Sequence, residues 1–307
     1  MMGDSVAKLE EKIRGFINSP RKQATLLSDT ASWDTLCSAL DVIGDTELAL
    51  DAYLRAKPQP GDGENYLLAY GTLQVMEVQQ DALNFVCESL SIPYLRPEEL
   101  SDIRTIRSES IGHPMKGKEN KITKSSFISR SDLDHHGFTL LTVYSDHSPY
   151  KHSRIDLVGL VKTQQRFIKE KLADVVKKLR IDEMTHRTKH KTELLQGFFP
   201  DTLGYLISKI NERSPVAEMH VREIKRIISR FRGALQKRGE WIDGSGVAHE
   251  VELAEYPLEV LESFFRAAGQ SRLNERDIYV YATFVKAQVE QLRGIAREID
   301  EKYGAAV

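Results

Sequence analysis

The feature that most limits what this chain can become is the stretch from Glu64 to Ser91, nearly thirty residues without a proline, set between Lys57-Pro-Gln-Pro-Gly-Asp-Gly63 and Ile92-Pro93. Its apolar side chains recur every three or four positions, the period that lines one face of an α-helix. Tyr66, Ala69, Tyr70, Leu73, Met76, Leu83, Cys87 and Leu90 form a core-facing stripe, and Gln74, Glu77, Asp81, Asn84 and Glu88 form a polar one. A helix this long needs other helices to cover its stripe. Gln80 alone interrupts the apolar series and reads as a buried, satisfied glutamine or a dimer contact.

The remaining segments agree with a helical chain. Residues before Lys57 read as helices, with Ser19-Pro20 breaking the first and Asp29 to Ser32 offering cap residues to the next, along which Trp33, Leu36, Leu40 and Ile43 recur. Pro97-Glu98-Glu99 starts a shorter helix, because proline suits a first turn and carboxylates complement the helix dipole there. Beyond Pro114 a lysine-rich loop precedes two predicted strands, Ser126–Ser131 and Phe138–Tyr144, joined through Asp132–Gly137. A helix of some thirty residues follows from about Arg154. Helical segments near 193–211, 216–238, 257–268 and 275–303 complete the chain, with Glu240–Val247 a turn between them. The expected fold is all-α: a helical bundle over residues 1–190 with a small β-hairpin near 125–145, and a helical C-terminal domain over 191–307.

With 307 residues, 41% of them hydrophobic and 29% charged, the chain has the composition of a folded, soluble protein. No apolar run approaches the roughly 18 residues of a membrane span, and the amphipathic, charged start is unlike an export signal. Cys37 and Cys87 lie in apolar helical contexts without metal-ligand spacing, as expected of buried thiols in a reducing cytoplasm. The net charge of −2 is unevenly spread: residues 1–100 hold 8 Lys/Arg against 16 Asp/Glu, residues 101–240 hold 28 against 17, and residues 241–307 hold 7 against 12. A basic middle between acidic ends suggests a polyanionic partner, or segments that neutralise one another within the fold or across a dimer. The chain has no Walker loop, dinucleotide-binding glycine fingerprint, Gly-x-Ser-x-Gly elbow or His-Glu-x-x-His, which argues against the common nucleotide hydrolases, dehydrogenases and serine esterases.

Chemistry concentrates in Arg104-Thr-Ile-Arg-Ser-Glu-Ser-Ile-Gly-His-Pro114. An arginine is permanently charged and bidentate toward phosphate, and a histidine exchanges protons near neutral pH, so Arg107 and His113 can manage phosphoester cleavage without a metal. Positions six apart sit about 120° from each other around an ideal helix. Gly112 and Pro114 therefore have to turn the chain if the two are to face one target. Glu109 and His113, four apart, are placed to pair.

Arg107, five intervening residues and His113, together with the upstream helix Tyr66–Asp81, resemble the Arg-x(4–6)-His motif of the HEPN family over about a third of the chain. The resemblance implies a helical bundle and a metal-independent, cofactor-free endoribonuclease acting on single-stranded RNA. In it Arg107 would stabilise a pentacoordinate phosphate, and His113 would act on the ribose 2′-hydroxyl or the leaving oxygen to give a 2′,3′-cyclic phosphate. Ser108, Glu109 and Arg104 would support the site, and Lys116, Lys118, Lys121 and Lys124 would hold flanking phosphates. One histidine does not easily serve as both base and acid, so two motifs would face each other across a homodimer. A toxin or antiviral-defence role, with a cognate inhibitor or antitoxin, is also what the resemblance implies. Ser108 stands where many active members carry Asn, which favours the alternative of a noncatalytic HEPN-like module binding RNA, a nucleotide or a protein.

Three further groups were weighed. His135, His136, His147 and His152, with Asp132, Asp134 and Asp146, have metal-ligand chemistry, but adjacent histidines in a strand point to opposite faces and no metal site is expected. Thr185–Lys191 and Lys225–Arg232 are basic helical surfaces, the second able to track a nucleic-acid backbone.

Overall fold

The computed structural model describes residues 4–27, 29–57, 61–112, 117–119, 122–146, 148–266 and 273–304. Its elements, in chain order, are α1 (Val6–Ile17), α2 (Pro20–Leu26), α3 (Thr30–Arg55), α4 (Asp62–Ser89), α5 (Glu98–Arg107), a four-stranded sheet of β1 (Gly117–Glu119), β2 (Ile122–Ile128), β3 (Gly137–Tyr144) and β4 (Lys151–Asp156), then α6 (Leu157–His190), α7 (Leu203–Asn211), α8 (Ala217–Arg238), α9 (Gly246–Arg266) and α10 (Glu275–Gly304). The fold is mainly α with a small antiparallel sheet, as the periodicities predict. The chain forms two compact units, one of residues 1–15 and 29–178, the other of residues 16–28 and 179–307. The sequence drew a boundary at 190/191; the units divide inside α6, where the helix runs on without a break, and residues 16–28 belong with the C-terminal unit.

In the first unit α3 begins where Asp29 caps it by accepting the Ser32 N–H at 3.3 Å, and it packs along α4 through Leu36, Leu40, Ile43 and Leu50. Most of the predicted α4 stripe is buried, Leu73, Met76 and Leu83 completely, whereas Tyr70 turns outward and meets the Tyr66 ring edge-on. Gln80 is fully buried and donates to Gln164 on α6 at 2.8 Å, while Gln164 donates to the Met76 carbonyl and to Gln79. These amides join α4 to α6 inside the core, where an unmatched polar group would be destabilising.

The sheet has the order β1-β2-β3-β4, each neighbour antiparallel. Its β2–β3 pairing, with Ser126 opposite Thr142, is the predicted hairpin. The first predicted strand is displaced: β2 starts at Ile122, and residues 130–132, assigned to strand and turn by sequence, form a tight helical turn instead. β4 occupies residues where the sequence suggested a loop and the start of a helix. It is held by pairing with β3, Phe138 opposite Ile155, and α6 follows directly, with Asp156 accepting the Gly159 N–H.

The second unit is all-helical, built on Ile224, Ile228 and Phe231 of α8, Leu258 and Leu261 of α9, and Val285 and Leu292 of α10. Gly239 takes the left-handed conformation, φ 69°, that ends α8. The sequence put the next helix near 257–268. It runs over Gly246–Arg266 with Pro257 inside it, where burial in the core offsets the backbone hydrogen bond that proline removes.

Candidate active site

α5 is the positioning element. Glu98 and Glu99 occupy its first turn and Arg104 and Arg107 its last, the charge order that a helix dipole favours. Leu100 and Ile103 anchor it in the core. Arg104 and Arg107, three residues apart, share one face, and that face meets the polar stripe of α4.

Arg104 reaches Asp81 at 2.7 Å and one oxygen of Glu77 at 2.9 Å. Arg107 reaches the other oxygen of Glu77 at 2.6 Å and takes the Gln74 side-chain carbonyl at 2.7 Å through Nη2. One carboxylate thus holds two guanidinium groups. The polar stripe Gln74, Glu77 and Asp81 was legible in the sequence, but its role as the seat of both arginines was not, because spacing along α4 does not say which helix will pack on it.

After Arg107 the chain widens into a π-helical turn, Ser108–Gly112. A π turn pairs residue i with i+5, so Gly112 comes back over Arg107, where a Cβ would lie only 2.7 Å from Arg107 Nη1. The sequence assigned the bend that would turn His113 toward Arg107 to Gly112 and Pro114; Gly112 lies against Arg107, and His113 and Pro114 lie outside the described residues. Ser108 caps α5 through its N–H. Ser110 is buried with its hydroxyl unpartnered.

Glu109 pairs with Lys124 of β2 at 2.6 Å. The sequence assigned Glu109 to His113 and Lys124 to phosphate; the strand brings these two side by side as an ion pair. His113, Lys116 and Lys121 lie outside the described residues, as does the side chain of Lys118.

Other predicted groups have structural partners. Asp134 accepts the N–H groups of His136 and Gly137 at 2.7 and 2.9 Å. Partial burial alone would raise its carboxyl, but these bonds and Arg154 outweigh it and hold Asp134 below its ordinary value. His135 is buried against Tyr53, which donates to its carbonyl. Among the described residues, no three His, Cys, Asp or Glu side chains gather into a group able to hold a metal ion. The basic surface of α8 is matched by α9: Lys225 and Arg222 meet Glu262, and Arg232 meets Glu255.

The second unit holds a polar cluster that the sequence did not reveal. His186 lies 2.8 Å from the Tyr303 hydroxyl, and Tyr303 donates to Glu240 at 2.7 Å. With the tyrosine proton directed to Glu240, the His186 ring N–H donates to the tyrosine oxygen. Burial, with Arg21 and His190 nearby, pushes its imidazole down to about 4. Burial also raises the Glu240 carboxyl despite the Tyr303 bond.

No family model, curated protein or solved structure matches this chain.

Proposed function

We propose that the chain is a metal-independent endoribonuclease of HEPN type, cleaving single-stranded RNA by 2′-hydroxyl attack. The reading is carried by one observation: Arg107, fixed on Glu77 and Gln74, lies under the π turn that leads into His113. An arginine held in place by a carboxylate is oriented before substrate arrives, and an oriented cation is worth most where charge develops on a phosphoryl group. The 2′-hydroxyl is an internal nucleophile, so proximity supplies much of the rate and no cofactor is required. His113 moves the proton, and a second copy supplies the second histidine that acid and base steps need. A toxin or defence role is the cellular setting this chemistry suits.

A second reading has its own support. Glu77 already neutralises Arg107, and Ser108 lacks the reach and paired donor and acceptor of asparagine. Both fit a noncatalytic module that binds RNA, a nucleotide or a protein. Product analysis separates the two. The ribonuclease reading expects 2′,3′-cyclic phosphate ends from single-stranded RNA in EDTA, lost in folded Arg107→Ala; cleavage abolished by chelation of the wild type excludes it.

A further inference from the structure

Beyond the seams that bury Leu36, Leu40 and Ile43 on α3 and Leu73, Met76 and Leu83 on α4, each helix carries a second seam that remains open. On α3 it runs through Ser38, Val42, Asp45, Ala49 and Ala52, with the alternating three- and four-residue spacing of a surface that packs against another helix. On α4 it runs through Leu67, Gly71, Val78 and Phe85, with Ala82 buried beneath it. Leu67 is 76% and Phe85 46% exposed, far more than a finished bundle leaves at such positions.

Between the two helices lie depressions of about 440 and 470 Å³. Ala49, Ala52 and Gly71 line the first, and Ser38, Val42 and Ala82 the second. At 1.5 Å per residue, the two depressions together span about 33 Å along α3, from Asp34 to Ala56, the length of about six turns of helix. Their small lining residues let a backbone come close, and Leu67 and Phe85 stand at the two ends of this groove as apolar walls.

Charge selects the occupant. Together α3 and α4 carry ten carboxylates and a single cation, Arg55. Asp41 is matched by Arg14, and Glu77 and Asp81 by α5, but Asp34 lines the groove and Asp45 lies midway along it. A second copy of the chain on this face would bring the Asp34 and Asp45 carboxylates of both copies into one interface, and like charges across an interface are unfavourable. We infer that the groove receives an amphipathic helix of a partner protein, its apolar stripe on the α3/α4 floor and lysine or arginine on its flanks. This goes beyond the proposed function and does not rest on it: Arg107, Gln74 and Glu77 do not line the groove, and Asp81, which lines its second depression, is held by Arg104.

The test uses the full chain and a labelled synthetic Leu/Lys amphipathic helix of about 22 residues, the groove's length, with a Leu/Glu helix of the same pattern as its counterpart. Fluorescence anisotropy at physiological salt reads binding to the wild type and to Gly71→Lys. Nothing lies within 4 Å of a Cβ at Gly71, and lysine is the better helix former, so the variant keeps its fold, as circular dichroism would verify. The expected result is binding of the basic helix, weakened about tenfold or more both by Gly71→Lys and by exchanging Lys for Glu in the peptide. The inference is overturned if the basic helix does not bind, if Gly71→Lys leaves its affinity unchanged, or if both peptides bind alike. It is equally overturned if the wild type dimerises and Gly71→Lys makes it monomeric, which would assign the face to a second copy.

Discussion

Glu77 is the residue on which the candidate site turns, because its two oxygens serve Arg104 and Arg107 separately. It is mostly buried, and its removal leaves Arg104 with Asp81 and Arg107 with the neutral Gln74 side chain alone. Glu77→Ala is expected to lower stability by about 1–3 kcal/mol, read from the urea midpoint; an unchanged midpoint would mean that the paired arginines do not depend on it. His186 makes a different demand. Its imidazole titrates near 6.5 in an unfolded chain and at about 4 in the folded one. Between those values the unfolded chain binds the additional proton. The stability linked to neutral His186 is therefore complete above pH 6.5 and is lost as pH falls through the folded value. Glu240 partly opposes this, because its raised carboxyl takes up a proton in the folded state first. The denaturation midpoint should fall between pH 7 and 4.5, and fall less in His186→Gln; equal slopes would show that this imidazole is not the group responsible.

Among the elements, the sheet depends most on a single backbone position. Gly137 has φ 154°, and a Cβ there would overlap the Ile155 carbonyl oxygen on β4. Gly137→Ala should therefore destabilise the first unit by at least about 2 kcal/mol, with hydrogen exchange accelerated in β3 and β4; wild-type protection would contradict the tight strand approach. The long helices were legible because three- and four-residue spacing of Leu73, Met76 and Leu83 reports burial directly. β4 was not, because Lys-His-Ser-Arg has no alternation to read and is a strand only through its bonds to β3. The π turn was equally hidden. Arg107, Gly112 and the need for a bend could be read from sequence, but Ser-Glu-Ser-Ile-Gly carries no pattern that tells a single π turn from the α-helix it extends.

Across the whole molecule, part of the uneven charge along the chain is resolved by ion pairs inside each unit. Arg104 and Arg107 from the basic middle meet Glu77 and Asp81 from the acidic beginning, and α8 meets Glu255 and Glu262 from the acidic end. Cations already paired bind RNA less strongly than their number suggests, so the proposed chemistry rests on a local site and on two copies rather than on a broad basic surface. Activity per chain should then decline on dilution in step with dissociation measured by sedimentation; constant activity in a monomeric protein would rule out a composite site. The most direct test compares wild type with folded His113→Ala on single-stranded RNA in EDTA, measuring cleavage and binding together. The account predicts cleavage by the wild type, none by the variant and equal binding by both; wild type and variant that bind but are equally inert would contradict it.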